Sequence, residues 1–182
     1  MEGFLNIRCG GKAGREDNMT WVSDANYIDV GQTAEHLYDI VYGYGLHSLR
    51  VFPKPLEKSC YQLPVVPDVP YLLRLGFVVG SYSGFKRLPS FAFSIETPGM
   101  IARGNVSISD RRVAIYDETI FVSSGRVLYI CLIRTSELDD PFISGIQLRN
   151  LKPGMYGQAK PGTMLMSPYR NNVGGDEYDK IR

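Results

Sequence analysis

Six aromatic residues lie near stretches that read as loops: Tyr27, Tyr42, Tyr44, Tyr61, Tyr82 and Phe85. Two adjacent carboxylates, Asp139 and Asp140, precede the last apolar run. An aromatic face packs against the C–H surface of a sugar ring, and a carboxylate accepts hydrogen bonds from its hydroxyls. Sugar recognition is therefore one chemistry these residue types offer. The Tyr42-Gly43-Tyr44-Gly45 loop offers a second, contact with a peptide or protein, since tyrosine gives large contact area at small entropic cost. Each ring also has a plainer reading as a half-buried sheet residue, where tyrosine commonly sits, and the glycines of that loop suit a tight turn.

No catalytic constellation stands beside these residues. The chain has no G-x-S-x-G, H-E-x-x-H or phosphate-loop motif, and His36 and His47 occupy unrelated contexts. No enzyme activity, metal or cofactor is expected. Three cysteines are too few for a disulfide scaffold, and none shares the close spacing of a zinc site. Cys131, inside VLYICLIRT, reads as a small buried hydrophobe. Cys9 and Cys60 are the candidates to pair if the domain is secreted, and an odd count leaves one cysteine over. Two N-x-[ST] sequons, at Asn18 and Asn105, are candidate N-glycosylation sites and lend mild support to secretion. Trp21 reads as a core or sheet-edge anchor, and Arg111-Arg112 as solvated charges in a hairpin turn.

The elements that must position these residues are strands. Runs rich in Val, Ile, Tyr and Phe recur at Phe4–Arg8, Tyr27–Val30, Ser48–Phe52, Tyr61–Leu63, Tyr71–Val79, Phe91–Ile95, Val106–Ser109, Val113–Ser123, Leu128–Arg134 and Phe142–Leu148. Gly, Pro, Asn, Asp and Ser fill the gaps, as in a sandwich or barrel. Val127 to Leu132 is apolar throughout and belongs in the middle of a sheet. Only Ala34–Ile40 looks helical, ended by the glycines after it. From Pro153 the chain loses periodicity and reads as extended or loosely packed. A length of 182 residues suits one domain with a real core. A formal net charge of +1 gives no footprint for nucleic acid or anionic lipid. No apolar run is long enough to span a bilayer, so no membrane contact is expected of this chain. The opening MEGFLNIRCGG lacks a cationic n-region and an apolar h-region, so no signal peptide is expected; the chain reads as cytosolic or as a piece of a longer secreted precursor.

Six segments in register resemble the malectin-like domain of plant receptor-like kinase ectodomains. Phe4–Gly11 (FLNIRCGG) resembles the family's first strand, and Trp21-Val22-Ser23-Asp24 with Tyr27-Ile28 its W-x-S-D-x-x-Y-I segment. Leu49-Arg50-Val51-Phe52-Pro53 and Cys60-Tyr61-Gln62-Leu63-Pro64 match the L-R-x-F-P and C-Y-x-L-P strands. Tyr71–Arg74 with Gly80–Gly84 resembles Y-L-I-R and its following loop, and Asp140–Ser144 with Ile146–Arg149 resembles the closing P-F-I-S strand. Gly174–Arg182 resembles the junction that begins a second repeat. The resemblance implies an all-β jelly-roll β-sandwich of the malectin-like, galactose-binding-like type over residues 4–151. Residues 152–182 would then be an irregular tail or linker toward a missing second repeat.

The resemblance also implies a non-catalytic recognition module, part of or derived from a receptor-like kinase ectodomain. It would lie on the extracellular face of the plasma membrane or be secreted, any kinase domain being outside this chain. Its partner would be a cell-wall glycan or a secreted peptide, with a co-receptor; a structural spacer or a protein–protein interaction domain with no sugar binding is the alternative. Asp140 matches by position an aspartate of the animal sugar site, whereas the aromatic pair ending that domain's central strand appears here as Val79-Gly80. Candidate ligand contacts are thus Tyr27, Tyr44, Tyr61, Tyr82, Phe85 and Asp140.

Overall fold

Alternation of large apolar and polar side chains builds most of the strands in the computed structural model, which describes residues 4–16, 18–35, 45–152 and 154–167. In Lys58–Pro64 the residues Ser59, Tyr61 and Leu63 are buried while Lys58, Gln62 and Pro64 face water, the period-two pattern of a half-buried strand. The described residues form fourteen strands: β1 (Phe4–Arg8), β2 (Gly14–Glu16), β3 (Met19–Ser23), β4 (Gln32–Glu35), β5 (Ser48–Val51), β6 (Lys58–Pro64) and β7 (Pro70–Phe77). The second half adds β8 (Ser90–Thr97), β9 (Met100–Ser107), β10 (Ile115–Val122), β11 (Val127–Ile133), β12 (Phe142–Ile143), β13 (Gly145–Asn150) and β14 (Met164–Ser167).

Two sheets face one another in a jelly-roll β-sandwich. The larger runs β14-β10-β7-β13-β1-β3-β2 and the smaller β6-β11-β8-β9, with a short β12-β5-β4 sheet beside them. β11, apolar throughout, lies between β6 and β8 as its sequence requires. Between the layers Phe77 packs edge-on against Phe91 and Phe142, with centroids 5.8 and 6.3 Å apart. Leu73, Leu75, Ile95, Ile130 and Ile146 complete a fully buried centre. Burying one such side chain contributes about 1.5–3 kcal/mol.

Four local expectations are corrected. Tyr27–Val30 is not a strand: the Ser23 hydroxyl accepts from the Ala25 N–H and starts a 3-10 turn at Asp24–Asn26, which Tyr27 ends. The helix expected over Ala34–Ile40 begins instead as strand, because Ala34 and Glu35 pair with Leu49 and Ser48 of β5; residues 36–40 lie outside the described residues. Sheet hydrogen bonds overrode a weak local propensity there. The Cys9–Cys60 pairing does not form. Antiparallel register sets Cys60 directly opposite Cys131, the two are disulfide-bonded, and Cys9 is a free buried thiol. Cys131 is therefore a buried cross-link and not only a small hydrophobe. Finally, the stretch after Pro153 contributes an edge strand, β14, whose Met164–Ser167 pair with Phe121–Glu118 of β10.

Candidate recognition site

The 3-10 turn has two faces with different chemistry. Inward, Asp24 is buried and its carboxylate receives four donors. Arg50 gives Nε to Oδ2 at 2.5 Å and Nη2 to Oδ1 at 2.7 Å, the Tyr61 hydroxyl gives 2.9 Å, and the Gly10 N–H gives 2.9 Å. Arg50 also donates to the Val30 carbonyl at 3.1 Å. Gly10 has φ +72° and a Cβ there would sit 2.1 Å from the Leu49 carbonyl oxygen, so this close approach needs glycine. Burial pushes the Cys9 thiol well up, with the Asp24 charge adding to the effect, and Tyr61 is pushed up by burial first and its neighbours Cys9 and Asp24 second. The bidentate Asp24 contact holds Arg50 firmly charged. The Cys-Gly, S-D, L-R and C-Y motifs thus meet at one carboxylate that fastens β1, the turn, β5 and β6.

Outward, the same segment lines a cleft of about 540 Å³ with the exposed side of β6 and the start of β11. Asn26, Tyr27, Asp29, Gln62, Pro64 and Arg126 give it its character. Tyr27 is half-buried, and its carbonyl accepts the Gln62 N–H at 3.0 Å, closing the β6 edge. The side chains of Asp29 and Arg126 are exposed and make no hydrogen bond or ion pair among the described residues.

A second cleft, about 350 Å³, lies at another place, lined by Lys54, Phe85, Lys86, Arg87, Glu137, Leu138 and Asp140 among others. Its charges are mostly spent. Arg134, buried, pairs with Asp140 at 2.9 Å and donates to the carbonyls of Asp139 and Phe52 at 2.7 and 2.9 Å. Arg87 grips Asp139 through Nε and Nη2 at 2.7 and 2.5 Å, and Lys54 pairs with Glu137.

The structure therefore scatters the expected contacts. Tyr61 is fully buried in the Asp24 network, so it cannot present a ring to a ligand. Phe85 is 7% exposed, wedged between Tyr82 and Phe142 with centroids 4.9 and 5.2 Å away, and its face is spent on the core. Asp140 reaches the second cleft but is held by Arg134. Tyr82 packs beside Phe85 without lining either cleft. Tyr44 lies outside the described residues, as do Tyr42 and His36. His47 is exposed and meets Glu16 at 2.8 Å. Val79 is buried in the core, as is Trp21 under Gly45 and Gly145. Asn18 and Asn105 are both exposed, Asn18 in a left-handed turn with φ +62°. Asp29 and Arg126 escaped sequence reasoning because an unpaired charge in a loop carries no pattern that a paired one lacks, and Gln62 because it reads only as the outward position of a strand. Among the described residues no His, Cys, Asp or Glu cluster could hold a metal, and no helix is long and apolar enough to cross a membrane.

Comparison with known proteins places this geometry. A family model described as the malectin-like domain matches residues 7–182. A probable leucine-rich-repeat receptor-like protein kinase of Arabidopsis thaliana is 33% identical over 172 residues, 90% of this chain and 19% of that protein. A second Arabidopsis leucine-rich-repeat receptor-like serine/threonine-protein kinase is 29% identical over 184 residues, 97% of this chain and 21% of that protein. The chain thus spans about a fifth of the length of these relatives. The solved plant receptor-like kinase FER shares the fold at a TM-score of 0.70 and 21% identity, over 90% of this chain and 46% of that one. A structure of the plant peptide RALF23 in complex with FER and LLG2 aligns at a TM-score of 0.66 and 22% identity, over 85% of this chain and 41% of that one.

Proposed function

The chain belongs to the malectin-like domain family, and from that premise we propose that it is a non-catalytic recognition module acting outside the plant cell, as or from part of a receptor-kinase ectodomain. Its ligand in this reading is a secreted peptide, held with a co-receptor, more readily than a cell-wall glycan. The observation that carries the preference is the state of the rings. A sugar platform needs exposed aromatic faces beside a free carboxylate, and Tyr61 and Phe85 are buried while Asp140 is paired. The cleft beside β6 instead offers one half-buried ring with a carboxylate and a guanidinium that have no partner to lose among the described residues, which suits oppositely charged side chains of a peptide. FER has been solved with the peptide RALF23 and with LLG2, which supports a peptide and a co-receptor as ligand classes to test.

The test is binding of the purified chain to a panel of secreted plant peptides by calorimetry, alongside an oligosaccharide array. We expect a peptide signal that survives excess sugar and falls about tenfold in Arg126→Ala. Array binding lost in Tyr27→Ala, with no peptide signal, would transfer the assignment to a glycan in the same cleft.

A further inference from the structure

The smaller sheet has two outer strands, and among the described residues one of them is bonded on its outer side. On the β6 side the 24–29 segment closes the edge through the bond from the Gln62 N–H to the Tyr27 carbonyl, and Pro64 ends the strand. On the other side stands β9, eight residues long and last in its sheet, with no strand beyond it among the described residues. An open edge of this length templates pairing with another chain unless charge, proline, a bulge or bulk blocks it. In β9 the protein devices are sparse: no proline, an unbroken register with β8 from Met100↔Thr97 to Ser107↔Ser90, and one cation, Arg103. Ile101, 62% exposed, adds apolar surface on the strand's outer face.

On that same face lies the Asn105-Val106-Ser107 sequon. Val106 points inward, buried opposite Phe91, so Asn105 and Ser107 both project outward, and both are exposed. The amide nitrogen therefore carries substituents without disturbing the core. Ile101, four residues away, lies about 13 Å along the strand.

We propose that Asn105 is an N-linked glycosylation site whose glycan guards the open edge of β9 against pairing with a second copy of this chain. The inference rests on the extracellular reading above, because the modification is made on secreted chains. The Asn105 carboxamide nitrogen attacks the anomeric carbon of an oligosaccharide carried on a lipid pyrophosphate. The N–C bond forms as the C–O bond to pyrophosphate breaks, and the amide loses one proton. The bulky, solvated product sits on the edge strand where lysine or proline protects other sheets.

The experiment forces the full chain into the secretory route of plant cells with a cleavable leader, so that absence of sugar cannot reflect failure to enter it. Site mapping by amidase release in heavy-oxygen water should label residue 105 as aspartate, and Asn105→Gln should lose the mass of one glycan. At matched concentration Asn105→Gln should self-associate about tenfold more tightly than the glycosylated chain in sedimentation, with unchanged circular dichroism. Asn105→Lys, also without sugar but with an edge charge, should stay monomeric. If Asn105→Gln is not secreted, endoglycosidase trimming of the purified native chain to a single core sugar, which leaves residue 105 an uncharged amide, gives the same comparison. An unmodified residue 105 in secreted protein overturns the site. A monomeric Asn105→Gln, or an endoglycosidase-trimmed chain that stays monomeric, overturns the guarding role. Peptide binding measured on the same glycosylated chain fails or succeeds separately from either result.

Discussion

Asp24 and Asp29 lie five residues apart on one short segment, yet they stand for two different uses of a carboxylate. Asp24 is buried with four donors, whereas Asp29 is exposed with no bonded partner among the described residues. A charge saturated by its own chain fixes backbone, while a charge left open is available to a second molecule. The two clefts repeat the contrast, since around Phe85 the charges are largely paired and beside β6 they are not.

The comparison is tested most severely at the buried pair. Arg50→Ala strands a buried carboxylate and should cost about 3–5 kcal/mol, read as a lower midpoint in urea unfolding. A loss under about 1 kcal/mol would mean that Asp24 is not the fastening argued for. Second comes the cross-link behind the cleft: Cys60→Ser with Cys131→Ser opens a bridge over a 71-residue separation and should cost about 2–5 kcal/mol. Asp117 sharpens the contrast as a third kind of carboxylate, partly buried and with no ion pair among the described residues. Burial raises its pKa, Thr119 opposing and Glu118 adding. Its ionised form disfavours the fold, so the penalty appears as pH rises through the ordinary carboxylate range and is absent below it. Asp117→Asn should raise Tm at pH 7 and lose that gain in acid; an equal gain at both pH values would remove the electrostatic cause. The smallest stability effect belongs to the open charges. Asp29→Asn and Arg126→Ala should each shift stability by less than about 0.5 kcal/mol while weakening peptide binding.

Much of the fold was legible because hydrophobic side chains reveal their face by period. FLNIR coincides with β1, and the apolar run at 127–132 sits mid-sheet. Pairing was less legible. Cys60 meets Cys131 through strand register, a relation between distant segments that neither local sequence contains. Tyr27–Val30 has the composition of a strand, but the Ser23 cap and the packing of Asp24 bent it into a turn. Of the candidate contacts, Tyr27 lines the cleft beside β6, while Phe85 and Asp140 line the second one. Tyr61 and Phe85 show why a motif ring need not offer its face: both are buried, and the spacing of a core ring reads the same as that of a ligand contact.

Cys60 is at once a lining residue of the cleft and one end of the covalent bond to Cys131 in β11. The jaw formed by β6 is thus riveted to the centre of its sheet and cannot swing to admit a visitor. Whatever docks there meets a mould already set. Adaptation must come from the guest, and little of the binding energy is spent on reshaping the host.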